Sequence, residues 1–176
     1  MDRIAEAAGV NKAMLYYHFH SKAGLYGEIL RDMFGAVAAR VEAATAPGAD
    51  PADHVRAMVE AIAREAEARP HFPAIWLREI AEGGTHVDKG TLQVIAGILQ
   101  RLAGVVQAGV AAGRFRPVSP LLVQFGIVGP LLMFLATAPI RRKAPVRLPL
   151  SPALTIDEVI AHVQRVALLT LESPAS

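Results

Sequence analysis

The stretch MDRIAEAAGV NKAMLYYHFH SKAGLYGEIL, residues 1–30, decides how the rest of the chain is read. It predicts two short helices joined by a tight turn, then the start of a third. Ile4, Ala5 and Ala8 give the first helix a small apolar face. Gly9 stands where the chain must turn sharply, and glycine adopts positive φ without steric penalty. Val10 closes the turn, and Asn11 is a favourable N-cap for the second helix. Leu15 and Phe19 are four apart and fall on one face of that helix. A small residue before the turn, glycine within it and a branched residue after it fit a helix-turn-helix, whose second helix enters the major groove of DNA.

With Leu15 and Phe19 turned inward, Lys12, Ala13, Tyr16, Tyr17 and His18 are left facing out. A lysine can donate to guanine O6 and N7, and an alanine methyl can touch the thymine methyl. Asn11, at a helix N-terminus, is also placed to hold a phosphate.

The run LYYHFHSK, Leu15–Lys22, followed by an apolar helix, resembles the L-Y-x-H-F-x-S/N-K pattern of TetR-family regulators, with Leu15, Tyr16, His18, Phe19, Ser21 and Lys22 all matching. The resemblance is detailed over the first quarter of the chain and is one of length and helix pattern beyond it. It implies that Lys12, Ala13 and Tyr17 lie where bases are touched. Tyr16 and Lys22 lie where phosphates are held, and His18 suits either role. It further implies a homodimer on a palindromic double-stranded DNA operator, and a small hydrophobic or amphipathic effector. Family members carry a further helix and a basic arm ahead of this point, whereas Met1 here opens on the helix before the turn. The expectation is therefore an N-terminally short DNA-binding domain. A second reading keeps the fold and drops the DNA: a truncated helical dimer that binds a small ligand or partner.

Beyond residue 30 the pattern stays helical. Leu25, Ile29, Met33, Val37 and Val41 repeat every four residues, with Leu30 and Phe34 beside them, up to Pro47-Gly48. Asp50-Pro51 is a cap followed by proline at the first helical position; Val55, Met58, Val59 and Ile62 form the next stripe. Pro70 and Pro73 break and restart the chain, which continues through Ile75, Trp76 and Ile80 to Gly83-Gly84. A long helix is predicted from Asp88 to Ala112, on Ile95, Leu99, Leu102, Val106 and Val110. Ser119-Pro120 opens an apolar helix to Thr137, and Thr155 with Glu158 is a capping box opening the last helix. No alternating strand pattern and no long repeat appears. The fold class is all-α: a helix-turn-helix DNA-binding domain with its connecting helix, residues 1–46, then a helical bundle for effector binding and dimerisation, residues 47–176.

Composition narrows the function. The 176 residues suffice for a packed core without covalent staples. With no cysteine, disulfides and thiolate chemistry are excluded, and a reducing cytoplasm is the expected compartment. No signal peptide is visible. The run Leu121–Ala136 is uncharged but short of the roughly 20 residues that span a bilayer, and it holds Gly129-Pro130; a buried or interface helix is expected, not a membrane segment. Net charge is +2. Pro139–Pro149 carries Arg141, Arg142, Lys143 and Arg147, leaving the rest of the chain at −2, and reads as a solvated loop.

No nucleophile–base constellation, phosphate loop or metal set points to an enzyme or to a cofactor. His54, His71, His86 and His162 lack a second ligand at helical spacing, and His86 with Asp88 is a weak metal pair. Arg78, Glu79 and Glu82 interrupt an apolar helix. They read as an exposed charged stripe or as polar groups of a cavity. Met58, Phe72, Trp76, Ile95 and Phe125 are the apolar candidates for that cavity, and Arg78 and Gln124 its polar ones.

Overall fold

The computed structural model describes residues 1–45, 48–143 and 154–172. Among them are nine α-helices and no strand: α1 Asp2–Ala8, α2 Lys12–Phe19, α3 Lys22–Ala44, α4 Pro51–Ala68, α5 Phe72–Ala81, α6 Lys89–Ala111, α7 Pro120–Ala136, α8 Ala138–Lys143 and α9 Ile156–Leu171.

The helix starts are fixed locally. The side chains of Asn11, Ser21, Asp50, Asp88 and Thr155 each accept a backbone N–H from the first turn of the helix they precede. Thr155 and Glu158 form the full reciprocal box. Each cap satisfies a donor that the first turn leaves without an intrahelical partner. Gly9 ends α1 at φ 65°, in the left-handed region.

The core joins α3, α4, α6, α7 and α9. Leu30, Met58, Leu102, Ile127, Leu131 and Leu171 are its largest fully buried apolar side chains. Helix α3 packs on α4 and α6, and α9 packs on α7 and α4. Polar pairs set the position of α3 from outside the core: Arg31 with Asp88 at 2.7 Å, Arg69 with Asp32 at 2.5 Å and Arg40 with Glu65 at 3.1 Å. The first two pairs are exposed and fix geometry more than they stabilise, whereas Glu65 is buried and depends on Arg40 and Arg69 for its partners. The main contacts of α1 and α2 are with each other and with α3.

Four local expectations change. In α3 the buried residues begin at Gly27 and Leu30; Leu25 is half-buried and Ile29 exposed. In α6 the buried residues are Thr91, Ile98, Leu102, Val105, Val106 and Gly109; of the predicted stripe Leu102 and Val106 are among them, while Ile95, Leu99 and Val110 are only half-buried. Helix α6 is apolar on more than one side, and its neighbours choose which side is covered. In α1 only Ala5 is buried. The fourth change concerns Pro139–Pro149: its start is the short helix α8, not a loop, with the Arg141 guanidinium over the Phe134 ring at 3.9 Å. Arg147 lies outside the described residues.

Because α7 runs on into α8, Pro120–Lys143 is 24 residues with mean hydropathy 2.0, and Lys89–Ala111 reaches 1.6. Both stretches are long and apolar enough to cross a bilayer by length and composition. Each instead places one face in the core just described.

Candidate functional site

The first feature is the exposed face of α2. Leu15 is buried and Phe19 half-buried, which leaves Lys12, Ala13, Tyr16, Tyr17 and His18 exposed on the remaining faces. Tyr17 stands furthest out, at 78% exposure, with the His18 ring edge-on to it at 5.3 Å. Lys22, at the start of α3, is also exposed. These residues therefore share one accessible end of the molecule. The Asn11 side chain is occupied, accepting the Ala13 N–H at 2.8 Å, so it shapes the helix start directly. Lys12 is paired with Asp2 at 2.6 Å, and that carboxylate holds the ammonium pKa above its ordinary value. Met14, 54% exposed, joins this face and is absent from the sequence-based set. An apolar residue in an otherwise polar helix face is its only sequence signal.

The second feature is an apolar cavity of about 190 Å³ walled by α3, α4, α5, α6 and α7. It brings together Phe72, Trp76, Ile95, Gln124 and Phe125 as expected. Phe34 sits edge-on to both Phe72, at 5.3 Å, and Trp76, at 4.7 Å, so α3 contributes an aromatic wall. The sequence pattern marks Phe34 and Val37 only as stripe residues; that the same stripe borders a cavity depends on how α5 and α7 pack. Two expected members are absent. Met58 is fully buried in the core, and the α4 residues facing the cavity are Ile62 and Ala66, one and two turns further on. Arg78 is exposed and pairs with Glu82 at 2.9 Å. It lies two residues beyond Trp76, which on a helix is nearly the opposite side.

The third feature surrounds Glu79, which is fully buried, against the expectation of an exposed charged stripe. It shares the face of Phe72 and Trp76. Its carboxylate accepts the His86 backbone N–H at 2.6 Å and faces His86 Nδ1 at 3.2 Å, and the Tyr26 hydroxyl also donates to it. Burial pushes its pKa up, but these hydrogen bonds outweigh burial and hold it below the ordinary value. The Tyr26 ring packs edge-on against His86 at 4.7 Å. Glu82 completes a group with Glu79 and His86 whose ligand-type atoms lie within 4.8 Å of one another. Asp88, by sequence only a weak metal pair with His86, instead caps α6 by accepting the Thr91 N–H and binds Arg31, and these two contacts bring its pKa down to about 2.

Comparison with known proteins agrees with both halves of this arrangement. Residues 1–29 match the family described as bacterial regulatory proteins, tetR family, and residues 51–141 match the tetracyclin repressor-like C-terminal domain. No match was found among curated proteins. Among solved structures, the chain resembles a tetR-family regulatory protein from Rhodococcus RHA1, with TM-score 0.77 and 15% identity over 99% of this chain and 86% of that one. It also resembles the TetR-family regulator PfmR from Thermus thermophilus, with TM-score 0.68 and 27% identity over 96% and 87% of the two chains. The ketosteroid transcriptional regulator KstR2 of Mycobacterium tuberculosis gives 0.66 and 21% over 97% and 83%. The C-terminal match alone spans more than half of the sequence. A helix-turn-helix with its reading face open, followed by a matching helical domain, places this chain in the TetR family: it is a ligand-responsive, DNA-binding transcriptional regulator and not an enzyme.

Proposed function

We propose that the chain acts in the cytoplasm as a dimeric repressor of a palindromic operator, released by a small hydrophobic or amphipathic effector. Residues 1–46 are the DNA-reading part and residues 47–176 the effector and dimer part, with α3 shared between them. The observation that carries this reading is that α3 serves both ends. It starts shortly past the end of α2, and its Phe34 and Val37 wall the cavity. An occupant pressing on Phe34 displaces the helix that aims α2. In a dimer this changes the separation of two recognition helices, which must sit about 34–36 Å apart to read successive major grooves. The exposed reading face favours this account over a dimer that has lost DNA binding.

Lys12, Ala13 and Tyr17 are assigned to bases, Asn11, Tyr16 and Lys22 to phosphates, and His18 to either. Lys12 must leave Asp2 to reach a base, so Asp2 tempers its non-specific attraction to DNA. Selection from random duplexes by the purified chain is expected to enrich a two-fold symmetric site. On that site Lys12→Ala should cost about 1–3 kcal/mol and relax specificity at one base position. Lys22→Ala should weaken binding to all sequences alike and flatten the salt dependence. Failure to enrich any site overturns the assignment.

The dimer is assigned to α7 and α9. Leu122, Phe125 and Met133 on α7, and Val166 and Leu169 on α9, are exposed apolar residues on two helices that pack together. Gly126 and Gly129 lie among them and permit close approach. Contiguous apolar patches of this kind mark interfaces, and the pair with its symmetry mate forms a four-helix bundle. Sedimentation at micromolar concentration should give a dimer, and Phe125→Glu with Leu169→Glu should give a monomer. A wild-type monomer under those conditions removes this assignment.

A further inference from the structure

The cavity contains one polar feature that its own walls leave unanswered. Gln124 extends from α7 into a lining that is otherwise apolar. Its Oε1 is buried and has no hydrogen-bond partner. A buried acceptor without a donor is unfavourable, and native structures satisfy nearly all such atoms. Trp76 and Phe34 are edge-on to each other, with Phe72 beside them, so the space next to Gln124 is bounded by aromatic and branched side chains. Leu121 lines it while remaining exposed, which brings the cavity to the surface beside the face assigned to the dimer.

Size limits what fits. Engineered apolar cavities of about 150 Å³ bind benzene. At about 190 Å³, this one holds a single ring with one or two small substituents, and it is too small for a fused-ring ligand without repacking. Shape and polarity therefore make two separate demands: a compact apolar body, and one hydrogen-bond donor directed at Gln124.

We propose that the effector is a monocyclic amphipathic molecule of the phenol class, whose hydroxyl donates to Gln124 Oε1 while its ring packs between Trp76 and Phe125. This deepens the effector reading above and rests on it. Gln124 then selects for the donor: an apolar ring enters the cavity but leaves the carboxamide oxygen unpaired. The donor O–H must also leave water, so the advantage of one neutral hydrogen bond is about tenfold in affinity.

Trp76 is the single tryptophan of the chain, and its position in the cavity wall makes its fluorescence a direct reporter of occupancy. The full chain is titrated with p-cresol, toluene and 4-methylanisole, exciting where the ligands do not absorb. Wild type is expected to bind p-cresol about tenfold more tightly than toluene. The anisole, which accepts but cannot donate, should do no better than toluene. Gln124→Leu should remove the preference by weakening p-cresol while keeping toluene, and its unliganded thermal stability should hold or rise because the unpaired acceptor is gone. Gln124→Met, closer in shape, serves should the leucine variant fold poorly. An equal preference in wild type and variant overturns the role of Gln124. Absence of binding by all three ligands overturns the size assignment. If larger amphipathic compounds still release the protein from its selected DNA site in that case, the regulator reading stands without the phenol class; if none does, the effector reading fails too.

Discussion

Gly24→Ala is expected to weaken operator binding by roughly ten- to a hundredfold while leaving the helical body folded. Gly24 is in the first turn of α3, and its N–H donates to the Ser21 hydroxyl that caps that turn, at 2.9 Å. A Cβ added there would lie well inside contact distance of the carbonyl oxygen of Phe19, the last residue of α2. That neighbour is backbone and cannot rotate away. Relief requires the end of the recognition helix to move relative to α3, and overpacking of this kind costs about 1–3 kcal/mol. Since α2 contributes only Leu15 to the buried residues, thermal unfolding of the body should change little. The strain is released as misplacement of the reading face, and about 1.4 kcal/mol corresponds to a tenfold change in affinity. Binding of the variant to the selected duplex, measured alongside its helical content and melting temperature, separates the two effects. Wild-type affinity in a folded variant would show that the α2–α3 junction is slack.

Glu79→Ala is expected to destabilise the protein by about 1–3 kcal/mol, because it leaves the His86 N–H and the Tyr26 hydroxyl without their acceptor at a buried position. It should also weaken the coupling of effector to DNA, since Tyr26 is on α3 and Glu79 shares a face of α5 with the cavity residues Phe72 and Trp76. The same group sets an acid limb of stability. The Glu79 pKa is lowered in the folded state, so its contribution is fully present above the unfolded carboxylate value near 4.5 and is lost as pH falls through the lower folded value. Asp88, brought down to about 2 by the Thr91 N–H and Arg31, acts with the same sign over the range below 3.8. Glu79→Gln keeps the shape and part of the hydrogen bonding, and should flatten the loss as pH falls below about 4.5 relative to wild type. Denaturant unfolding at a series of pH values reads both variants. A Glu79→Gln curve parallel to wild type throughout would show that another group carries the acid limb.

The caps at Asn11, Ser21, Asp50, Asp88 and Thr155 are readable from sequence because a cap involves only near neighbours in the chain. The exposed face of α2 is readable by subtraction, since the two inward-facing residues Leu15 and Phe19 on an eight-residue helix leave the other sides to solvent. Helices with a single apolar stripe, such as α4, declare their buried side in advance. Where a helix is apolar on several sides, the sequence is degenerate. Which α6 residues are buried and which, like Ile95 and Leu99, stay half-buried, and the division of α7 between core and exposed face, are decided by which neighbours pack against them. Glu79 is the sharpest case. Its charge argues for solvent, yet Tyr26 from α3 and His86 seven residues on supply donors that make burial tolerable. The cavity obeys the same rule. Five of its expected residues are recognisable by type, but Phe34 becomes a wall and Arg78 turns outward only when α5 docks between α3 and α7. Hydrogen bonds within one turn are written in the sequence; the partners of a buried carboxylate and the walls of a cavity come from segments far apart in the chain, and only their packing brings them together.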